Sequence, residues 1–112
     1  MNLTYHATPK DHWEASDTAD PYVSNDFDTE GFIHCTDSAD ALPSVLTTYY
    51  KDQPGAWVVL TIDKDRVSSP MRYEDPDNVF PHIYGPLNRD AIVDVRDIPR
   101  SDGGRFLPFA DA

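Results

Sequence analysis

The chain opens on an alternation. From Leu3 to Thr8 apolar Leu3, Tyr5 and Ala7 interleave with polar Thr4, His6 and Thr8, the period of two that marks a strand with one packed and one polar face. His6 is thereby predicted on the polar face. Pro9 opens a short helix through Trp13, its anchor, because proline is tolerated in a first turn where its missing N–H has no helical partner. Residues 16–30 are polar and acidic with few periodic apolar positions, and read as a long loop with Tyr22 and Phe27 turned inward. Loops of that length are often functional. Gly31-Phe32-Ile33-His34-Cys35-Thr36 predicts a second strand, with Phe32, His34 and Thr36 on one side and Ile33 and Cys35 on the other. Gly31 supplies the turn before it, and Asp37 and Ser38 are candidate caps for a following helix.

Ala39, Leu42, Val45, Leu46 and Tyr49 recur at helical spacing up to the stop at Gln53-Pro54-Gly55, and Pro43 delays the start of that helix. Ala56 to Ile62 is nearly all apolar or β-branched, the pattern of a central strand buried on both faces. Asp63 to Val67 reads as a turn, Met71 to Glu74 as a short strand, and Asp75 to Asn78 as another turn. Phe80-Pro81-His82-Ile83-Tyr84-Gly85-Pro86 holds three breakers and is predicted as a fixed loop or edge rather than a regular ladder. Such loops often carry sites. Ala91 to Val95 is a last strand, and residues 100–112 an irregular tail in which Phe106, Leu107 and Phe109 pack back. The order predicts a small α+β fold, mostly antiparallel strands with two or three short helices. With no repeat or linker, residues 1–112 are expected to form a single domain.

Charge narrows the partners. Twenty acidic residues against nine basic ones give a net charge of -11, which repels the phosphates of nucleic acid and an anionic membrane surface, so neither is expected as a partner. Seven of the nine basic residues lie from Lys64 onward, so an anionic ligand would be favoured toward the C-terminal half. No apolar run approaches the ~20 residues that span a bilayer, and no signal-peptide pattern is present; the expected setting is cytoplasmic. The lone Cys35 excludes an intrachain disulfide and argues against a thiolate zinc site. His6, His12, His34 and His82 show no ligand spacing that would assign a metal. His34 and Cys35 point to opposite faces and so form no nucleophilic pair, which leaves Cys35 as a small buried apolar residue.

His34, mid-strand, must find a partner or be buried unpaired. It is either a satisfied core histidine or one of a group, with His6, His82 and Glu74, that converges on a cleft where an imidazole donates to a ligand or moves a proton. Glu74 reads as a solvated edge carboxylate or as an acceptor for ligand hydroxyls. Tyr84 either packs or offers its ring to a planar ligand. Trp13 and Trp57 read as core. The acidic loop reads as solvated surface, with covering a cleft or binding a cation as the alternatives.

Tyr5-His6 with Trp13, then Gly31-Phe32-Ile33-His34-Cys35-Thr36, then Glu74 with Phe80-Pro81-His82-Ile83-Tyr84-Gly85-Pro86-Leu87, resemble the bacterial family called domain of unknown function 952, over almost the whole chain. That family looks distantly similar to ADP-ribosyltransferase-like domains. The nearer echo is the C-terminal half of RNA 2′-phosphotransferases, whose His-Leu-Ser strand, helix and Val-Val-Leu-type strand are matched by His34-Cys35-Thr36, the helix to Tyr50, and Val58-Val59-Leu60. Tyr5-His6-Ala7-Thr8 resembles the early strand whose histidine meets the nicotinamide-side ribose of NAD in those enzymes. The resemblance implies an ADP-ribosyltransferase-like fold and NAD or a related nucleotide as ligand. By that likeness His6, His34 and Thr36 line a nucleotide cleft, with Glu74 or His82 at the reacting end; joined with the reading of the residues, this takes His34, His82 and Glu74 as catalytic groups and His6, Thr36 and Tyr84 as ligand-binding ones. The phosphotransferases rely on several arginines, and this chain has none before Arg66, so an RNA substrate is not expected. The function carried forward is an enzyme-like domain binding a nucleotide or related small molecule; the alternative is a non-catalytic ligand-binding or interaction domain.

Overall fold

A computed structural model describes residues 2–109. Its elements run β1 (Leu3–Pro9), α1 (Lys10–Ala15), α2 (Phe27–Glu30), β2 (Ile33–His34), α3 (Leu42–Tyr50), β3 (Trp57–Asp63), β4 (Met71–Tyr73), β5 (Pro81–Ile83) and β6 (Ile92–Ile98). Short 3-10 turns fall at Lys64–Arg66, inside the expected turn, and at Arg89–Ala91. Two three-stranded sheets result, in the orders β1-β3-β6 and β2-β5-β4, and all their pairings are antiparallel. This is the expected α+β class.

The apolar run of β3 is explained by a core on each side. Val58, Leu60 and Ile62 meet Ile33, Cys35, Ile83 and Leu87 of the region around the second sheet. Trp57 and Val59 meet Leu42 and Leu46 of α3, together with Ile98 and Phe106. With both faces covered, a strand gains nothing from alternating polar residues.

The same arrangement overturns the facing predicted for β1. Thr4, His6 and Thr8 are the buried residues, while Leu3, Tyr5 and Ala7 are half-buried. Register decides this: Thr4, His6 and Thr8 lie opposite Ile62, Leu60 and Val58, and so share their inward face. A second correction concerns Phe80 to Pro86. Pro81–Ile83 is β5, the middle strand of its sheet. Pro81 fits as the first residue of that strand, where proline is tolerated, and its carbonyl still accepts from the Cys35 N–H at 3.0 Å.

Helix α3 begins only at Leu42, with Pro43 in its first turn, so Ala39 lies outside it. Ser38 Oγ accepts from the Ala41 N–H at 3.2 Å, whereas Asp37 is bound to Lys64 and Tyr73 instead of capping. The far end of α3 is held by Arg100, whose guanidinium donates to the carbonyls of Tyr50, Lys51, Gln53 and Gly55. Phe106 is buried and Phe109 meets the Tyr5 ring edge-on at 6.1 Å; Leu107 is half-buried. The last part of the expected tail, residues 110–112, and residue 1 lie outside the described residues. No helix among the described residues is long and apolar enough to cross a membrane.

Candidate functional site

The two sheets meet where Tyr5 and Thr36 exchange backbone hydrogen bonds of 2.9 and 2.8 Å. Beside this junction lies an open cavity of about 660 Å³. One wall is β1 with His6, followed by His34, Thr36, Phe80 and His82; the other is α3 with Leu46, Thr48, Tyr49 and Tyr50. Trp57 lines it as well, and Asn25, Asp26 and Glu30 bring the acidic segment to it.

His34 and His82 are direct partners across the β2–β5 pair, and their rings stand 4.8 Å apart at 85°. Phe32 stacks on His82 at 4.2 Å, nearly parallel, and meets His34 edge-on at 4.7 Å. Each imidazole has its own carboxylate. His82 Nδ1 lies 3.0 Å from Glu74 Oε1, and His34 Nε2 lies 3.2 Å from Glu30 Oε2. An ionised carboxylate only accepts, so each of these ring nitrogens carries the proton. In the neutral form of each ring the lone pair is then on Nε2 of His82 and on Nδ1 of His34. Glu74 also accepts from the Tyr84 hydroxyl. These two hydrogen bonds, Tyr84 first and His82 second, hold Glu74 below its ordinary value. The same bond raises the Tyr84 phenol, and the Arg72 guanidinium lies over the Tyr84 ring at 5.4 Å.

His6 is of a different kind. Its Nδ1 donates to the His34 carbonyl at 2.6 Å, which can only accept, so Nε2 accepts from the Tyr22 hydroxyl at 2.9 Å. Burial lowers its pKa from 6.5 to about 4, and burial raises the Tyr22 phenol. His6 is thus the satisfied, neutral core histidine, while the His34 side chain is 47% exposed, which overturns the core reading of His34. Cys35 is buried, and burial pushes its thiol up. His12 donates from Nε2 to the Val23 carbonyl at 2.8 Å and so ties down the acidic segment.

Of the residues singled out in the sequence, His6, His34, Thr36 and His82 therefore meet at one cavity. Glu74 and Tyr84 stand outside its lining and reach it through His82. Phe32, Glu30, Asp26 and Tyr50 went unrecognised. Phe32 had a signal, since it shares a strand face with His34. Glu30 reaches His34 because Gly31 closes α2 in the left-handed region, at φ 80°, a conformation glycine adopts without a Cβ clash. Asp26 and Glu30 had a signal only as part of the acidic segment read as a possible cover for a cleft, and Tyr50, arriving from a distant element, had none.

Among the described residues no group of three His, Cys, Asp or Glu side chains is placed to hold a metal ion, and no lysine or arginine lines the cavity. The lining therefore offers no cation to a diphosphate such as that of NAD.

The crystal structure of protein CC0527 from Caulobacter crescentus is similar to this chain, with a TM-score of 0.77 at 19% identity over 94% of this chain and 93% of that one. The solution NMR structure of CC0527 gives a TM-score of 0.70 at 20% identity, covering 93% and 90%. At such identity the likeness shows a shared fold. No curated protein matches the chain. The sequence profile described as Protein of unknown function (DUF952) matches residues 7–95, and the chain belongs to that family.

Proposed function

We propose that the cleft binds a small ribose-bearing ligand of nucleoside kind and that His82 moves a proton on it. The observation that carries this reading is the paired histidines at the cleft wall, each oriented by a separate carboxylate. Glu74 fixes the tautomer that leaves the His82 Nε2 lone pair as a base, and its negative charge stabilises the imidazolium formed when that nitrogen takes a proton. Phe32, stacked on the ring, holds its plane. His34 Nδ1 and the Thr36 side chain are the acceptors for ligand hydroxyls. Glu74 is a positioning residue, acting through His82.

The ribose in this reading comes from the likeness to ADP-ribosyltransferase-like domains, and the cavity volume falls in the ~300–1,000 Å³ range of small-molecule sites. The test is a thermal-shift and imidazole NMR panel of adenosine, ADP-ribose and NAD. Adenosine is expected to raise the melting temperature by mass action and to move the His34 and His82 signals; a panel that moves neither would refute the reading. Where binding is found, mass spectrometry of the mixture reads turnover. His82→Asn is expected to lower the rate about 10²–10⁴-fold with binding retained. Binding with no product from the unaltered protein would leave a ligand-binding module.

A further inference from the structure

We infer that the ligand of this cleft carries a positive charge and an aromatic or apolar body, and that Asp26 and Glu30 select it. The inference rests on the reading of the cleft as a ligand site, and narrows the ligand class within it.

The first ground is where the basic residues are spent. Lys10 pairs with Asp97, and Lys64 with Asp37 and Tyr73. Arg89 binds the carbonyls of Asp17 and Asp20 and covers the Trp13 ring, while Arg100 is committed to the end of α3. Arg72 pairs in register with His82, yet its guanidinium covers Tyr84. Among the described residues the cavity lining includes the acidic residues Asp26 and Glu30 and no lysine or arginine. With carboxylates and no lysine or arginine among the lining residues, the net field there disfavours an anion and favours a cation.

The second ground is the opposite wall. Tyr49, 72% exposed, stands at 6.4 Å from Tyr50, whose ring lies 4.9 Å from Trp57. Ring faces attract cations through their quadrupole, and they also give an aromatic body a surface to stack on. Trp57, itself 3% exposed, is a further aromatic residue of the lining. The negative charges of Glu30 and Asp26, after burial, help hold the Tyr50 phenol above its ordinary value, so the two walls share one field.

The experiment uses three probes of one shape, benzamidine, benzamide and benzoate, titrated into the full chain while the His34 and His82 imidazole signals are followed by NMR. Benzamidine is expected to bind at least about tenfold more tightly than benzoate, with benzamide between. The double variant Asp26→Asn/Glu30→Gln should erase most of that preference, read as the ratio of benzamidine to benzamide affinity within each protein. The variant's fold is checked by amide spectra. Salt titration of the unaltered protein is the independent measurement, because screening should weaken benzamidine binding and spare benzamide. Benzoate binding as tightly as benzamidine, or a preference indifferent to both the variant and salt, overturns the inference while the cleft reading stands. If no probe disturbs either histidine, the inference falls, and the adenosine panel alone decides the cleft reading.

Discussion

His6 and His34 show how neighbours divide the same side chain between two jobs. His6 lies under the sheet junction with both nitrogens engaged, so it has a structural duty and is held neutral. The consequence is a pH dependence of known sign. Its folded pKa, about 4, lies below the unfolded 6.5. Between those values the unfolded chain binds the proton that the folded chain refuses, so stability is full above pH 6.5 and is lost as pH falls toward 4. The loss should reach about 3 kcal/mol at the low end, the order set by the size of the shift. Urea unfolding at pH 7 and pH 4.5 should show it, and His6→Gln should flatten the slope. Tyr22→Phe makes a matching case: it leaves the buried Nε2 of His6 without its donor, which should cost about 1–3 kcal/mol, measured by urea unfolding at pH 7. A change below a few tenths of a kcal/mol would mean that the Tyr22–His6 bond has little weight.

Helix α3 forms one wall of the cleft, and its placement depends on its termination. Four carbonyls at its end converge on the Arg100 guanidinium, which also donates to Gly104 at 2.9 Å. Gly104 sits at φ +86, and a Cβ there would meet the Lys51 carbonyl oxygen at 2.1 Å. The segment therefore requires glycine on two grounds, conformation and space. Arg100→Ala is expected to lower the unfolding free energy by about 1–3 kcal/mol, since it strands partly buried acceptors. Gly104→Ala should match or exceed that loss, because it displaces the backbone that Arg100 grips. Both are read by chemical unfolding, and an unchanged midpoint in either would show that the helix end is anchored elsewhere.

Over the whole chain, a net charge of -11 acts against compaction by self-repulsion. The few cations serve as clamps on carbonyls and rings, as Arg89 and Arg100 do. Raising the salt concentration from about 10 mM to about 150 mM shortens the screening length from roughly 30 to 8 Å. The melting temperature should rise across that range, because weakened repulsion outweighs the loss of a few exposed ion pairs, each worth about 0–1 kcal/mol. A falling melting temperature would mean that the ion pairs carry more of the stability than the excess charge removes.

Much of the architecture could be read from residue order. The continuous apolar run of β3 and the period of α3 with its delay at Pro43 follow from short-range pattern, because burial on a helix or strand repeats at that element's own period, and the inward turn of Tyr22 and Phe27 follows from their being large apolar rings in a polar segment. The grouping of His34 with His82 came into view as one of two open readings. Pattern could not decide which face of β1 is buried, since that is fixed by its register against β3, nor that Pro81 begins a middle strand, since that depends on what pairs on either side. It could not show that His6 is the core histidine and His34 the exposed one, or that Asp26 and Tyr50 share a cleft. Those outcomes rest on which surfaces meet across dozens of residues, and the contacts that settle them exist only once the sheets and α3 have packed together.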